Sequence, residues 1–108
     1  MILVFLTAII LLSLYATIAL ANPEGGEVIR GEALITTLPD SLVVTQTTDR
    51  AVIDWRSFNI EVNQRTHFTQ PSKDSITLNR VGGDFVSQID GSLTANGNLI
   101  IVNPNGII

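Results

Sequence analysis

Few residues of this chain have the types and spacing that chemistry needs. His67 is the single histidine and stands among strand-forming residues; one imidazole without partners makes neither a metal site nor a nucleophile-activating pair. Asp54 and Glu61 fall on successive expected strands, the kind of carboxylate pair that glycoside cleavage uses as acid and base, but their positions read better as solvated strand ends. Gly82-Gly83 lacks the strand-to-helix setting of a phosphate loop. Arg30-Gly31-Glu32 has glutamate where an integrin-binding tripeptide wants aspartate, so it is read as a turn. The chain has no cysteine, which removes disulfides and thiolate metal sites together. No catalytic, cofactor-binding or metal-binding residue is expected.

The informative local chemistry is that of turns. Asn103-Pro104-Asn105-Gly106 fills the positions of a type I turn: a side-chain acceptor first, a ring that presets φ second, glycine last. This reading makes the two amides servants of turn backbone groups, with direct contact to a partner as the competing role. Ala95-Asn96-Gly97-Asn98 contains an Asn-Gly pair that tolerates positive φ. Between the turns lies Leu99-Ile100-Ile101-Val102, too short for a helix and rich in β-branched side chains, hence a strand. Burying four such side chains returns roughly 1.5–3 kcal/mol each, whereas ordering a dozen backbone residues costs about 1–2 kcal/mol apiece. A unit of this size is stable only when similar units stack on it, as in a solenoid. The chain reaches Ile108 just after a turn and still hydrophobic, so further coils are expected beyond it.

The elements that must position these turns are short and numerous. Residues 28–38, 42–48, 51–55, 58–62, 66–70 and 75–81 are runs rich in Val, Ile, Thr and Phe, separated by Pro39-Asp40-Ser41, Thr48-Asp49-Arg50, Asn63-Gln64, Pro71-Ser72-Lys73-Asp74 and Val81-Gly82-Gly83-Asp84. Turns at intervals of about 8–12 residues predict an all-β fold. Residues 84–89 are allotted one helical turn at most. In Ser75 to Val81, Ile76 and Leu78 share one face and Ser75, Thr77 and Asn79 the other, so the strand is half-buried. Phe58 and Ile60 share a face in the same way, and Trp55 and the four phenylalanines are assigned to the core.

Before Asn22 the composition changes. Met1 to Ala21 carries no charged side chain, and Ala19-Leu20-Ala21 has the small-x-small form of a leader-peptidase site ahead of Asn22-Pro23. Residues 1–21 are therefore read as a signal peptide cleaved after Ala21, or as an uncleaved anchor, since the apolar run is also long enough to span a bilayer. Residues 22–108 form the mature part. Export through a narrow pore suits a chain without disulfides. Six basic against ten acidic residues, a net charge of −4, exclude a nucleic-acid partner, which would need a basic stripe.

Five pieces in order, Arg50-Ala51-Val52-Ile53-Asp54-Trp55-Arg56-Ser57-Phe58-Asn59-Ile60, Phe68-Thr69-Gln70-Pro71-Ser72, Ser75-Ile76-Thr77-Leu78-Asn79-Arg80-Val81, Gly91-Ser92-Leu93-Thr94-Ala95-Asn96-Gly97 and Asn103-Pro104-Asn105-Gly106-Ile107, resemble the N-terminal secretion domain of filamentous-haemagglutinin-type exoproteins. Glu61 stands where members commonly have glycine. The resemblance implies a right-handed, single-stranded parallel β-helix with an N-terminal β cap, incomplete at the C-terminus and preceded by a signal helix. It implies export by two-partner secretion: the Sec machinery reads the leader, and the periplasmic polypeptide-transport-associated domains of an outer-membrane transporter bind the domain. The product reaches the Gram-negative cell surface or medium as an adhesin or haemagglutinin with a surface receptor. The family's secretion motif falls on Asn103, Pro104, Asn105, Gly106 and Ile107. Its structural pattern falls on Trp55, Phe58, Asn59, Ile60, Phe68, Gln70, Pro71, Leu78, Asn79, Arg80, Val81, Gly91, Leu93, Asn96 and Gly97. Two readings compete: the start of a β-helical carbohydrate-active enzyme, or a small membrane-anchored β protein.

Overall fold

The computed structural model describes residues 21–108; the leader reading, with Ala19 and Phe5, lies outside them apart from Ala21. Eight strands form two four-stranded sheets. Sheet I has the order β1-β4-β6-β8: β1 Glu27–Arg30, β4 Arg50–Trp55, β6 Ile76–Val81 and β8 Asn98–Val102. Sheet II has the order β2-β3-β5-β7: β2 Ala33–Leu38, β3 Ser41–Gln46, β5 Arg65–Thr69 and β7 Ser92–Ala95. From β3 onward the chain alternates between the sheets, so each strand from β5 on lies parallel to the one two places earlier. Only β1 and β2 pair antiparallel, at one edge of each sheet. No helix occurs among the described residues.

Two sequence expectations about elements are corrected by this topology. The run 28–38 is not one strand: Gly31, at φ 74°, turns the chain between β1 in sheet I and β2 in sheet II. A side chain there would collide with the Arg50 carbonyl. The run 58–62 is not a strand either, but a single parallel bridge of Ile60 to Ile89. Pairing stops after it because Asn63 takes a positive φ of 66° and turns the chain into β5. A second bridge, Ser87 to Ile107, continues this third side, which is held by isolated contacts rather than a ladder. Residues 84–89 form no helical turn.

Alternation decides what enters the space between the sheets. Leu42, Val44, Ile53, Trp55, Phe58, Ile60, Phe68 and Val81 make one buried cluster, with Trp55 and Phe58 packed edge to face at a centroid distance of 5.7 Å. Phe85, assigned to the core by its type, is 80% exposed: it sits in the loop after β6, outside the alternating frame that turns side chains inward. In and just before β6 the buried side is polar except for Val81. Ser75, Thr77 and Asn79 are fully enclosed, while Ile76 and Leu78 point outward and are only partly covered. A strand's period fixes which residues share a face, not which face meets the core.

Candidate recognition corner

The Asn103-Gly106 turn has the geometry its sequence demands. The Gly106 amide donates to the Asn103 carbonyl at 3.0 Å, and the Asn105 amide donates to Asn103 Oδ1 at 2.9 Å. The amide groups then reach beyond their own turn. Asn103 Nδ2 donates to the Phe85 carbonyl at 3.0 Å and to Ser87 Oγ at 2.9 Å. Asn105 Nδ2 donates to the Gly83 carbonyl at 2.7 Å. The Ser87 amide donates to the Gly106 carbonyl at 3.0 Å, and the Ile108 amide to the Ser87 carbonyl at 2.8 Å. Pro104 is exposed, as is Ile107, whose backbone bridges to Ser87. The corner thus clamps the loop 83–87 of the preceding layer. Ser87, buried at 1% exposure, is the residue that sequence reasoning missed: an isolated serine gives no signal that it will receive an amide from Asn103.

A second polar corner lies where the chain passes from sheet II to sheet I. Gln46 stands just past the end of the β3–β5 pairing, and its Nε2 donates to the Thr48 and Ile76 carbonyls at 2.7 and 3.2 Å. The Thr77 hydroxyl donates to Gln46 Oε1 and accepts from Gln70 Nε2. Gln70 Nε2 also reaches the Asn98 carbonyl at 2.9 Å, and its Oε1 accepts the Gly97 amide at 2.8 Å. Asn96 completes the stack: Oδ1 takes the Gln70 amide at 2.6 Å and Nδ2 donates to the Gln70 carbonyl at 2.7 Å, as an added strand residue would. Gly97 departs from expectation here. Its φ is not positive; glycine is needed because a Cβ would stand 2.8 Å from Gln70 Oε1 and from the Ser72 carbonyl.

The remaining family-pattern positions serve the same stacking. Trp55 Nε1 donates to Asn79 Oδ1 at 2.9 Å, which satisfies both groups inside the core. Asn59 Oδ1 accepts the Gln88 amide at 2.9 Å, linking the third side between layers. Phe58, Ile60, Phe68 and Val81 are core, and Leu93 packs half-buried against it. Leu78 faces outward, Pro71 is exposed in the loop before β6, and the Gly91 amide donates to the Ile60 carbonyl at 2.9 Å. Arg80 forms a two-point pair with Asp54, at 2.6 and 3.0 Å.

That pair engages Asp54, one of the two carboxylates with the spacing of an acid and base couple. Glu61 is exposed in the turn region after Ile60. His67 Nδ1 lies 2.6 Å from Thr94 Oγ1 on the outer face of sheet II. Among the described residues no group of histidine, cysteine or carboxylate side chains gathers to hold a metal ion.

Stacked parallel layers locked by amide corners define an all-β structural module whose distinctive residues bind its own backbone. The TPS secretion domain family matches residues 19–108, and the chain belongs to it. It is similar to the heme/hemopexin-binding protein of Haemophilus influenzae, at 43% identity over 105 residues, which cover 94% of this chain and 12% of that protein. A second heme/hemopexin-binding protein of that organism is 44% identical over 72 residues, covering 67% of this chain and 8% of its own length. The crystal structure of the HMW1 secretion domain from Haemophilus influenzae aligns with a TM-score of 0.75 at 34% identity, covering 80% of this chain and 23% of that one. The chain thus spans about an eighth or less of the curated relatives it matches. It is a secretion and targeting module.

Proposed function

We propose that the chain directs a large exported adhesin or haemagglutinin through a dedicated outer-membrane transporter and nucleates the folding of the passenger's β-helical coils. The observation that carries this reading is the pair of parallel ladders, β3-β5-β7 and β4-β6-β8, each closed at one edge by an antiparallel strand. β1 and β2 take the N-terminal edge of each ladder, and the winding runs on to β7 and β8, whose outer backbone groups are free to pair with a following parallel layer. Growth is therefore one-directional. Crossovers between parallel strands are right-handed in nearly all sheets, so the winding is inferred to be a right-handed β-helix with an N-terminal cap.

In this reading the leader, residues 1–21, delivers the chain to the periplasm through the Sec machinery and is removed after Ala21. The transporter's periplasmic polypeptide-transport-associated domains bind the module, and the passenger emerges at the cell surface or in the medium, where it meets its receptor. Layers added outside the membrane oppose backward sliding, because each new layer is stable only on the last. Asn103, Pro104, Asn105, Gly106 and Ile107 act by fixing the third side of the second and third layers. The test is export of the exoprotein from cells producing its transporter: Asn103→Ala should lower the secreted amount while precursor synthesis is unchanged. Secretion at the wild-type level from that variant refutes the role of the corner.

A further inference from the structure

The junction between leader and module is built into the fold. The bond at which the leader is read to end joins Ala21 to Asn22, and both residues are held by the chain that leads from sheet I to sheet II, residues 56–66. The Ala21 carbonyl accepts the Glu61 amide at 3.0 Å. Asn22 Nδ2 donates to Gln64 Oε1 at 3.0 Å, and the fully buried Thr66 donates its hydroxyl to Asn22 Oδ1 at 3.1 Å. Pro23 is buried. Glu24 bridges to Ser57: its amide donates to the Ser57 carbonyl and its carbonyl accepts the Arg56 amide, both at 3.0 Å. Residues 21–24 are therefore fixed one after another onto the first coil, by backbone, side chain or burial.

We propose that seating of this segment and removal of the leader exclude one another: the bond after Ala21 is cut only while residues 21–24 are free of the first coil, and the released Asn22 then closes onto Gln64 and Thr66. The inference rests on the leader reading above and sets the order of its steps. A serine peptidase adds its hydroxyl oxygen to the Ala21 carbonyl carbon, and the carbonyl oxygen takes the electron pair and must lie among the peptidase's own donors. The C–N bond then breaks, the nitrogen takes the proton lost by the serine and leaves as the amino group of Asn22, and water releases Ala21 as a carboxylate. In the folded module that oxygen already has the Glu61 amide as its donor, and the departing Asn22 is tied by its side chain on the other side of the bond. The segment must lift off before a peptidase can take the carbonyl. Lifting breaks the bonds of Ala21 and Asn22 together, and cleavage then follows the population of that open state. A module wound too early keeps its leader.

The test adds purified leader peptidase to the full-length precursor, either at the moment of its dilution from denaturant or after refolding is complete, and follows the cut by mass spectrometry. The refolded precursor should be cut at least about tenfold more slowly. Two variants loosen the junction by different routes. Asn22→Ala removes both side-chain bonds and leaves a small residue after the scissile bond, whereas Gln64→Ala with Thr66→Val removes the partners and leaves the sequence around that bond untouched. Each should lose most of the protection while keeping the circular dichroism and trypsin resistance of the refolded wild type. Equal cutting before and after refolding, or full protection in either variant that refolds, overturns the proposal and leaves the leader reading standing. If the unfolded precursor is not cut after Ala21, the leader reading falls and the proposal with it.

Discussion

The interior has two halves built on different physics. Around Trp55, Phe58, Ile60 and Phe68 it is a packed apolar cluster, stabilised by area removed from water and nearly indifferent to direction. Around Gln46, Thr77, Gln70 and Asn96 it is a chain of amides and hydroxyls in which each group has a named partner one layer away. The first half would tolerate a layer slipped along its neighbour if volumes matched. The second would not, because a one-residue slip breaks every bond of the stack and turns each side chain to the other face. Stability and register are thus supplied by separate regions.

The largest effect expected to break this comparison comes from the apolar half. Phe58→Ala should cost about 3–5 kcal/mol, as for other fully enclosed aromatic side chains, read as a loss of stability in denaturant titration of the purified module. A loss of less than about a quarter of that would mean that the cluster is less rigid than its burial indicates. Thr77→Val comes next: it keeps the shape but strands Gln46 Oε1 and one donor bond of Gln70, at a cost of about 1–3 kcal/mol. A double-mutant cycle of Thr77→Val with Gln70→Leu sharpens the distinction, since coupled members of one network are non-additive. Additive losses would show that the stack is a set of independent bonds.

Smaller effects are expected from the exposed contacts. Asn103→Ala should lower stability by about 1 kcal/mol, and its specific signature is faster amide exchange at Ser87 and Ile108, whose partners lie in the clamped corner. Uniform acceleration across all strands would instead indicate global unfolding. Asp54→Ala removes a half-exposed ion pair and should change stability by less than about 1 kcal/mol, with the difference shrinking as salt is added. A salt-independent loss would place that pair among the buried contacts.

Much of this organisation is legible in the residues themselves, since local sterics leave few choices. Pro39-Asp40 sets the tight connection between β2 and β3, and Asn103-Pro104-Asn105-Gly106 closes a turn wherever the chain carries it. Alternation likewise places Phe58 with Ile60 on one side and Ile76 with Leu78 on another. Phe85 shows the limit of this reading, because residue type predicts burial only where a regular element aims the side chain.

What the tertiary structure alone decided is which side of each alternation faces inward, and what each amide meets. Ser75, Thr77 and Asn79 enter the core, and Leu78 leaves it, because β6 must present partners to Gln46, Gln70 and Trp55 on neighbouring layers. Those partners are separated by several to a few dozen residues of chain, so no local window contains the reason. By itself the sequence determined short strands, their turns and their all-β character, which depend on φ and ψ preferences of adjacent residues. The stacking order, the polar corner and the clamp of Asn103 on Ser87 depend on contacts between layers, and exist only once the layers are assembled.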